Sequence, residues 1–184
     1  KELPFRLYEN NAFWVPPVPG EIESVMSPEK HPYYSHSEAD FFIVENNKEV
    51  LGRIAVLHNH NFCDYHNVKT AFFYYFEAVN NPDVSRLLFS AAKEWCQDRD
   101  LDTIIGPKGF LRSQGIGLLI NGFDKLPAVG IPYHQPYYQA LVEDFGFVKS
   151  HDHFSGYLDH HLDEKIHVIA EKVLARGNFV IRDF

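Results

Sequence analysis

Sulfur is scarce in this chain of 184 residues: one methionine and two cysteines, Cys63 and Cys96. Two cysteines cannot build the disulfide framework of a small secreted domain. They fit a reducing compartment, so the cytoplasm is the expected location. Cations are also short, 17 Lys plus Arg against 25 Asp plus Glu, for a formal net charge of -8. A protein that grips a nucleic-acid backbone displaces counterions with clustered cations. Docking on anionic lipid needs the same sign of charge. Neither nucleic acid nor membrane is an expected partner. No uninterrupted apolar run is long enough to span a bilayer. The start, Lys1-Glu2-Leu3-Pro4, has no initiator methionine and no signal-peptide pattern, and the chain reads as a piece of something longer. What is abundant is ring-bearing: 16 Phe, 10 Tyr and 11 His. Hydrophobic residues make up 45% and charged residues 23%, which suits a globular domain with a sizeable core.

Residues 1–40 are proline-rich. Trp14-Val15-Pro16-Pro17-Val18-Pro19-Gly20 cannot be helix interior, because proline lacks the donor and crowds the preceding turn. Short helices are expected on either side, near 4–10 and 20–26. The aromatics of this segment predict that it packs over something. Residues 41–45 and 49–57 read as a β-hairpin through Asn46-Asn47-Lys48, since asparagine tolerates the left-handed turn conformation. Residues 70–79 carry aromatics on both faces and predict a strand covered on both sides. Over 82–98, Val84, Leu87, Leu88, Ala91, Ala92 and Trp95 recur on one helical stripe. Asn81 suits the cap, Pro82 the first helical position and Asp83 the first turn. A short buried strand is expected at 101–105, then a glycine-rich stretch from 106 to 122. A helix fits 135–145, stopped by Gly146. A strand near 147–158, a helix at 161–176 and a last strand at 179–182 complete the reading. Strand–helix–strand units pair in parallel, whereas the hairpin is antiparallel. The expected fold is α/β, a mixed, mostly antiparallel sheet with helices on both faces.

This order of elements resembles the GNAT superfamily of N-acyltransferases. The hairpin is similar to its second and third strands, 70–79 to its fourth, and 82–98 to its long third helix. Ala140-Leu141-Val142-Glu143-Asp144-Phe145-Gly146-Phe147 resembles its helix-to-strand signature. Gly52-Arg53-Ile54-Ala55, Phe72-Phe73-Tyr74-Tyr75-Phe76-Glu77, Gly106-Pro107 with Gly117-Leu118-Leu119-Ile120-Asn121-Gly122-Phe123-Asp124, and Pro136-Tyr137-Tyr138 resemble a bacterial set of GNAT-like proteins. The resemblance implies a GNAT-like domain over 1–158 that lacks the usual first strand. Residues 159–184 would complete the sheet or lead into a following module. It further implies an acyl donor, acetyl-CoA or another acyl-CoA, and a small amine acceptor. A homo-oligomer or an adjoining domain is the expected protein partner. Glu77 would be the base and Tyr138 the acid. The CoA would meet Ala78, Val79, Asn80, Asn81, Val84 and Ser85, where the family binds pyrophosphate on backbone N–H groups. Two departures stand against this. No glycine falls within 80–84, Pro82 removes a donor and Asp83 sets a carboxylate where an anion docks, so pyrophosphate is not expected there in the usual way. Val142 stands where many members place the tyrosine that protonates the thiolate. These departures leave a second reading, a degenerate module that binds a ligand or protein without catalysis.

Glu77 lies at the sheet's opening. Among Phe72 and Phe76 its carboxyl would titrate high and suit proton abstraction; otherwise it caps a loop or pairs with an arginine. Tyr133-His134-Gln135-Pro136-Tyr137-Tyr138 either lines a pocket beside that opening or plugs the start of a helix. Tyr75, His134 and Tyr137 are therefore substrate-side candidates. His58-Asn59-His60-Asn61-Phe62-Cys63-Asp64-Tyr65-His66 holds three His, a Cys and an Asp. Such side chains suit zinc, but the spacing matches no closed zinc signature. The stretch reads as a polar loop near the acceptor, with Asn61 and His66 as substrate contacts and no metal. A metal-dependent hydrolase would need this loop. The stretch from Gly106 to Gly117 lacks the ending of a phosphate-binding P-loop and reads as an ordered loop over a pocket, where Lys108 or Arg112 could hold an anion. His151-Asp152-His153 and His160-His161 read as solvated or capping. Cys96 reads as structural and Cys63 as exposed.

Overall fold

The computed structural model describes residues 2–111, 114–157, 163–177 and 182. The chain divides into two units, residues 1–153 and 154–184. In the first unit, α1 (Leu3–Leu7), α2 (Glu21–Val25) and a 3₁₀ turn (Pro32–Ser35) precede a sheet. The sheet strands are β1 (Ser37–Asn46), β2 (Glu49–Asn59), β3 (Thr70–Ala78) and β4 (Thr103–Ile105). Between them lie α3 (His60–His66) and α4 (Pro82–Gln97), and α5 (Tyr138–Asp144) follows. The sheet order is β1-β2-β3-β4. The first three strands are antiparallel, and β4 runs parallel to β3. The hairpin turns through Asn47 and Lys48, both with positive φ. The fold is thus an α/β mixed, mostly antiparallel sheet. The second unit contains α6 (Glu164–Ala175), capped by Asp163, whose carboxylate accepts from Lys165 N at 2.9 Å. No helix among the described residues is long and apolar enough to cross a membrane.

Both faces of the sheet are covered, as the aromatic run over 70–79 predicts. On one face α4 lays Val84, Leu88, Phe89, Ala92, Trp95 and Cys96 onto Ile54, Val56, Ala71, Phe73, Phe76 and Ala78. Tyr138, Leu141 and Val142 of α5 join this core. The stripe on α4 is rotated from the expected one. Leu87 is 59% exposed, while Phe89, outside the expected stripe, is fully buried. On the other face Val25, Tyr33 and Phe110 close over Ala55, Leu57 and Phe72. The burial of Cys96 raises its thiol pKa to about 11, which suits its structural reading.

Several boundaries differ from expectation. The polar stretch after β2 forms α3 rather than a loop, because Asn59 caps it by accepting from Phe62 N at 3.0 Å. That helix turns Cys63 inward; the thiol is buried, not exposed, and donates to Thr70 O at 3.2 Å. β4 starts at Thr103, not 101, because Leu101 N still bonds Cys96 O at the end of α4. α5 starts at Tyr138 rather than 135, since a residue preceding proline, here Gln135, disfavours helical backbone. No strand forms over 147–157. Phe147 packs beside Phe73, Phe89 and Phe145 and anchors the chain there, whereas Val148 and Phe154 are exposed. Residues 179–181 of the expected last strand and the pair His160-His161 lie outside the described residues, as does Arg112.

Gly52 sits where α4 approaches the sheet most closely. A Cβ there would lie 2.7 Å from Val84 Cγ1 and 2.8 Å from Leu88 Cδ1. Gly52→Ala is therefore expected to destabilise the fold by about 1–3 kcal/mol through overpacking. A urea midpoint unchanged from the wild type would contradict this close packing.

Candidate active site

Glu77 is aimed by a one-residue bulge. Leu57, Val56 and Ala55 pair with Phe72, Phe73 and Tyr74, and then Arg53 and Gly52 pair with Glu77 and Ala78. β2 thus advances two residues, from Ala55 to Arg53, while β3 advances three, from Tyr74 to Glu77. The extra residue is absorbed at Tyr75, whose φ is +50. Such a conformation in a non-glycine residue costs about 1–3 kcal/mol and marks a place of interest. Its effect is to reverse the alternation of the strand. Phe73 and, past the bulge, Phe76 and Ala78 face α4, so Glu77 faces the opposite side with Phe72 and Tyr74.

There Glu77 meets three partners. Tyr138 donates its hydroxyl to Glu77 Oε2 at 2.6 Å, and Tyr8 donates to the same oxygen at 3.0 Å. The Arg53 guanidinium lies 3.9 Å from Oε1, with both side chains nearly buried. Burial raises the Glu77 carboxyl above its ordinary range, while Arg53 and the two phenols pull it back. Burial, reinforced by the Glu77 charge, raises both phenols, so Tyr8 and Tyr138 stay protonated. Tyr138 also accepts from Ala78 N at 3.1 Å, which fixes its hydroxyl at the edge of β3. Tyr137 donates to Ala78 O at 2.9 Å. β4 pairs only with Thr70, Ala71 and Phe72, so beyond them these phenols bond the β3 edge at Ala78. Arg53 Nε and Tyr75 Oη are buried with no hydrogen-bond partner among the described residues. The guanidinium also lies 5.5 Å from the centre of the Tyr75 ring.

Two curated proteins are similar to this chain. Protein YghO of Escherichia coli (strain K12) is 30% identical over 150 residues, 82% of this chain and 38% of that protein. Bacterial ceramide synthase of Caulobacter vibrioides (strain NA1000 / CB15N) is 28% identical over 176 residues, 95% of this chain and 45% of that protein. The chain spans less than half the length of either relative. No protein-family model and no solved structure matches it.

Of the residues expected at the site, the structure gathers Glu77, Tyr138, Tyr137 and Tyr75, with His134 behind them. His134 is buried, its ring centre 6.0 Å from that of Tyr138. Its Nδ1 accepts from Leu119 N at 3.2 Å, so it acts as a structural acceptor. Asn61 and His66 are exposed on α3 and are not brought to Glu77. α3 begins seven residues past Arg53, about 23 Å along β2 at the strand rise. Tyr8 and Arg53 were not among the expected site residues. Arg53 lay within a motif of the resemblance, and the aromatics of the N-terminal segment were the only sign of Tyr8. Tyr8 is held by stacking on Trp14, ring centres 5.0 Å apart.

The start of α4 is closed by its own hydrogen bonds. Ala78 N is taken by Tyr138, Val79 N by Leu51 O and Asn81 N by Val79 O. The Asn81 side chain accepts from Asp83 N at 2.9 Å, and Asn81 O accepts from Val84 N and Ser85 N. The Ser85 hydroxyl donates to Pro82 O at 3.0 Å. Of the residues expected to bind the cofactor, only Asn80 has an amide without such a bond described. Calorimetry with CoA is therefore expected to give weak or no binding. Submicromolar affinity with pyrophosphate on the Val84 and Ser85 amides would contradict this geometry.

Burial also lowers His134 to about 4. The unfolded chain takes a proton at this residue near pH 6.5, but the folded chain does not until about pH 4. Stability is then lost as pH falls through that window, by up to about 3 kcal/mol. His134→Gln, which keeps an acceptor for Leu119, should lose less stability than wild type between pH 7 and about pH 4. Equal losses in urea titrations would refute it.

Proposed function

We propose that the chain carries an N-acyl-transfer site that moves an acyl group from a thioester such as an acyl-CoA to an amine. The observation that carries the reading is the 2.6 Å hydrogen bond joining a buried carboxylate to a protonated phenol. Glu77 takes a proton from the amine as its nitrogen attacks the thioester carbonyl. The C–N bond forms and the C–S bond breaks. Tyr138 gives its proton to the departing thiolate. The proton held by Glu77 then crosses the same hydrogen bond to Tyr138, which resets the pair. Tyr8 and Arg53 hold the carboxylate in place, and the donors at Arg53 Nε and Tyr75 Oη are available to a polar group of the substrate.

Similarity to a protein named for ceramide synthesis supports an amine acceptor, since ceramide is an amide of a long-chain amino alcohol. A cleft of about 380 Å³ on the same sheet face as Glu77 offers a place for an apolar chain. Leu57, Phe72 and Phe110 line it, and Lys108 stands in its wall with its ammonium over the Phe62 and Phe72 rings. A second reading, a module that binds without catalysing, is favoured by the bonded amides at the start of α4.

The two readings separate in one assay. Thiol release from an acyl-CoA in the presence of a long-chain amine should fall by roughly 10²–10⁴-fold in Glu77→Gln, the usual size of a general-base contribution. Circular dichroism establishes that the variant is folded. Full activity in a folded Glu77→Gln protein excludes the assigned role, and absence of turnover in the wild type favours the binding module.

A further inference from the structure

Glu38 and His58 are direct partners in the β1–β2 ladder. Cross-strand partners project from the same face, so the carboxylate and the imidazole rise together. His60, the first residue of α3, brings a second imidazole beside them, its ring centre 4.2 Å from that of His58. His58 Nδ1 and His60 Nε2 each lie 3.6 Å from Glu38 Oε1. The three potential donor atoms all lie within 4.8 Å of one another. Around a tetrahedral zinc ion with bonds of about 2.0–2.1 Å, donors stand about 3.3–3.4 Å apart. Two of the three separations are within a few tenths of an ångström of that value.

A second observation points the same way. His58 Nδ1 is buried and has no hydrogen-bond partner among the described residues. A metal ion would satisfy that lone pair. The surroundings carry the right charge. Arg99 lies 3.1 Å from the other Glu38 oxygen and 3.5 Å from Asp40, so one guanidinium faces two carboxylates. That guanidinium is itself held over the Trp95 ring at 3.9 Å. It orients Oε2 and leaves Oε1 toward the imidazoles, the role an outer partner has around a metal ligand. Ser37 Oγ fixes the turn by accepting from His60 N at 3.3 Å.

We propose that Glu38, His58 and His60 bind one zinc-like divalent ion, with a fourth position open to water. The side chain of His60 is 47% exposed, so the ion has a route in from solvent. The site lies five residues along β2 from Arg53, about 16 Å at the strand rise, and does not depend on the acyl-transfer reading. The ion ties the start of β1 to the junction of β2 and α3. The nine-residue run beginning at His58 hid it, because the third ligand comes from another strand.

The test uses tag-free protein stripped with a chelator and titrated with zinc and with cobalt(II). One equivalent should bind, with the intense visible absorption of tetrahedral cobalt(II). His60→Ala should weaken binding by about 10–100-fold or more while circular dichroism stays unchanged. His153→Ala should leave it intact, although His151 and His153 also lie close, ring centres 4.6 Å apart. If His60→Ala does not fold, imidazole nitrogen shifts in the wild type decide instead, and those of His58 and His60 should move on zinc addition. No stoichiometric uptake, uptake that survives His60→Ala, or shifts confined to other histidines would overturn the proposal.

Discussion

Between Ala55 and Arg53 the second strand advances two residues while its neighbour advances three, and the polar centre of the molecule depends on that offset. A strand alternates faces with period two, so one extra residue inverts everything beyond it. Without the offset, Glu77 would follow Phe73 into the face covered by α4, a layer of Val84, Leu88 and Phe89. An ionised carboxylate there would have no donor and would cost several kcal/mol to bury. With the offset, Phe76 and Ala78 fill the α4 core and the carboxylate turns toward Tyr8, Tyr138 and Arg53. The strain at Tyr75 is held because packing on both faces fixes the register.

The carboxylate in turn orders parts of the chain distant in sequence. Tyr8 directly follows the N-terminal helix and caps its C-terminus, and Tyr138 opens the last helix of the first unit. Each donates to the same oxygen, so α1 and α5 meet through one buried charge. Gln135 reinforces the connection by donating to Leu7 O at 2.6 Å. A buried charge with two phenol donors and a guanidinium is well satisfied, which is why it can persist in a largely apolar interior. The same arrangement places a carboxylate and a protonated phenol on opposite ends of one short hydrogen bond.

The start of α4 shows how a strong helix start consumes its own amide donors. Asn81, Pro82 and Asp83 form a strong helix start, and the Asn81 side chain takes the amide that an anion would use. Asp83 is drawn to Arg86 at 2.8 Å, and Arg86 reaches Asp144 at 3.2 Å. These bonds stabilise the helix and use the donors a phosphate would need.

Much of the fold was legible in the sequence. The hairpin, the aromatic strand and the capped helix over 82–97 follow from local periodicity and turn chemistry, which act within a few residues. Glu77 and Tyr138 were legible as candidates from their places at a strand end and a helix start. Tyr8 was not, because nothing in its neighbours records a contact made 69 residues away. The grouping of Glu38 with His58 and His60 was hidden for the same reason, since cross-strand register leaves no mark on either strand alone. The strand expected near 147–158 did not form over the described residues 147–157, because strand formation needs a partner edge and Phe147 found a ring cluster instead. The sequence by itself determined the hairpin, the aromatic strand and the capped helix that follows it, and it marked Glu77 and Tyr138 as residues that could do chemistry. Only the tertiary structure decided which face Glu77 occupies and what surrounds it, because a one-residue register shift and the packing that enforces it are properties of the assembled sheet.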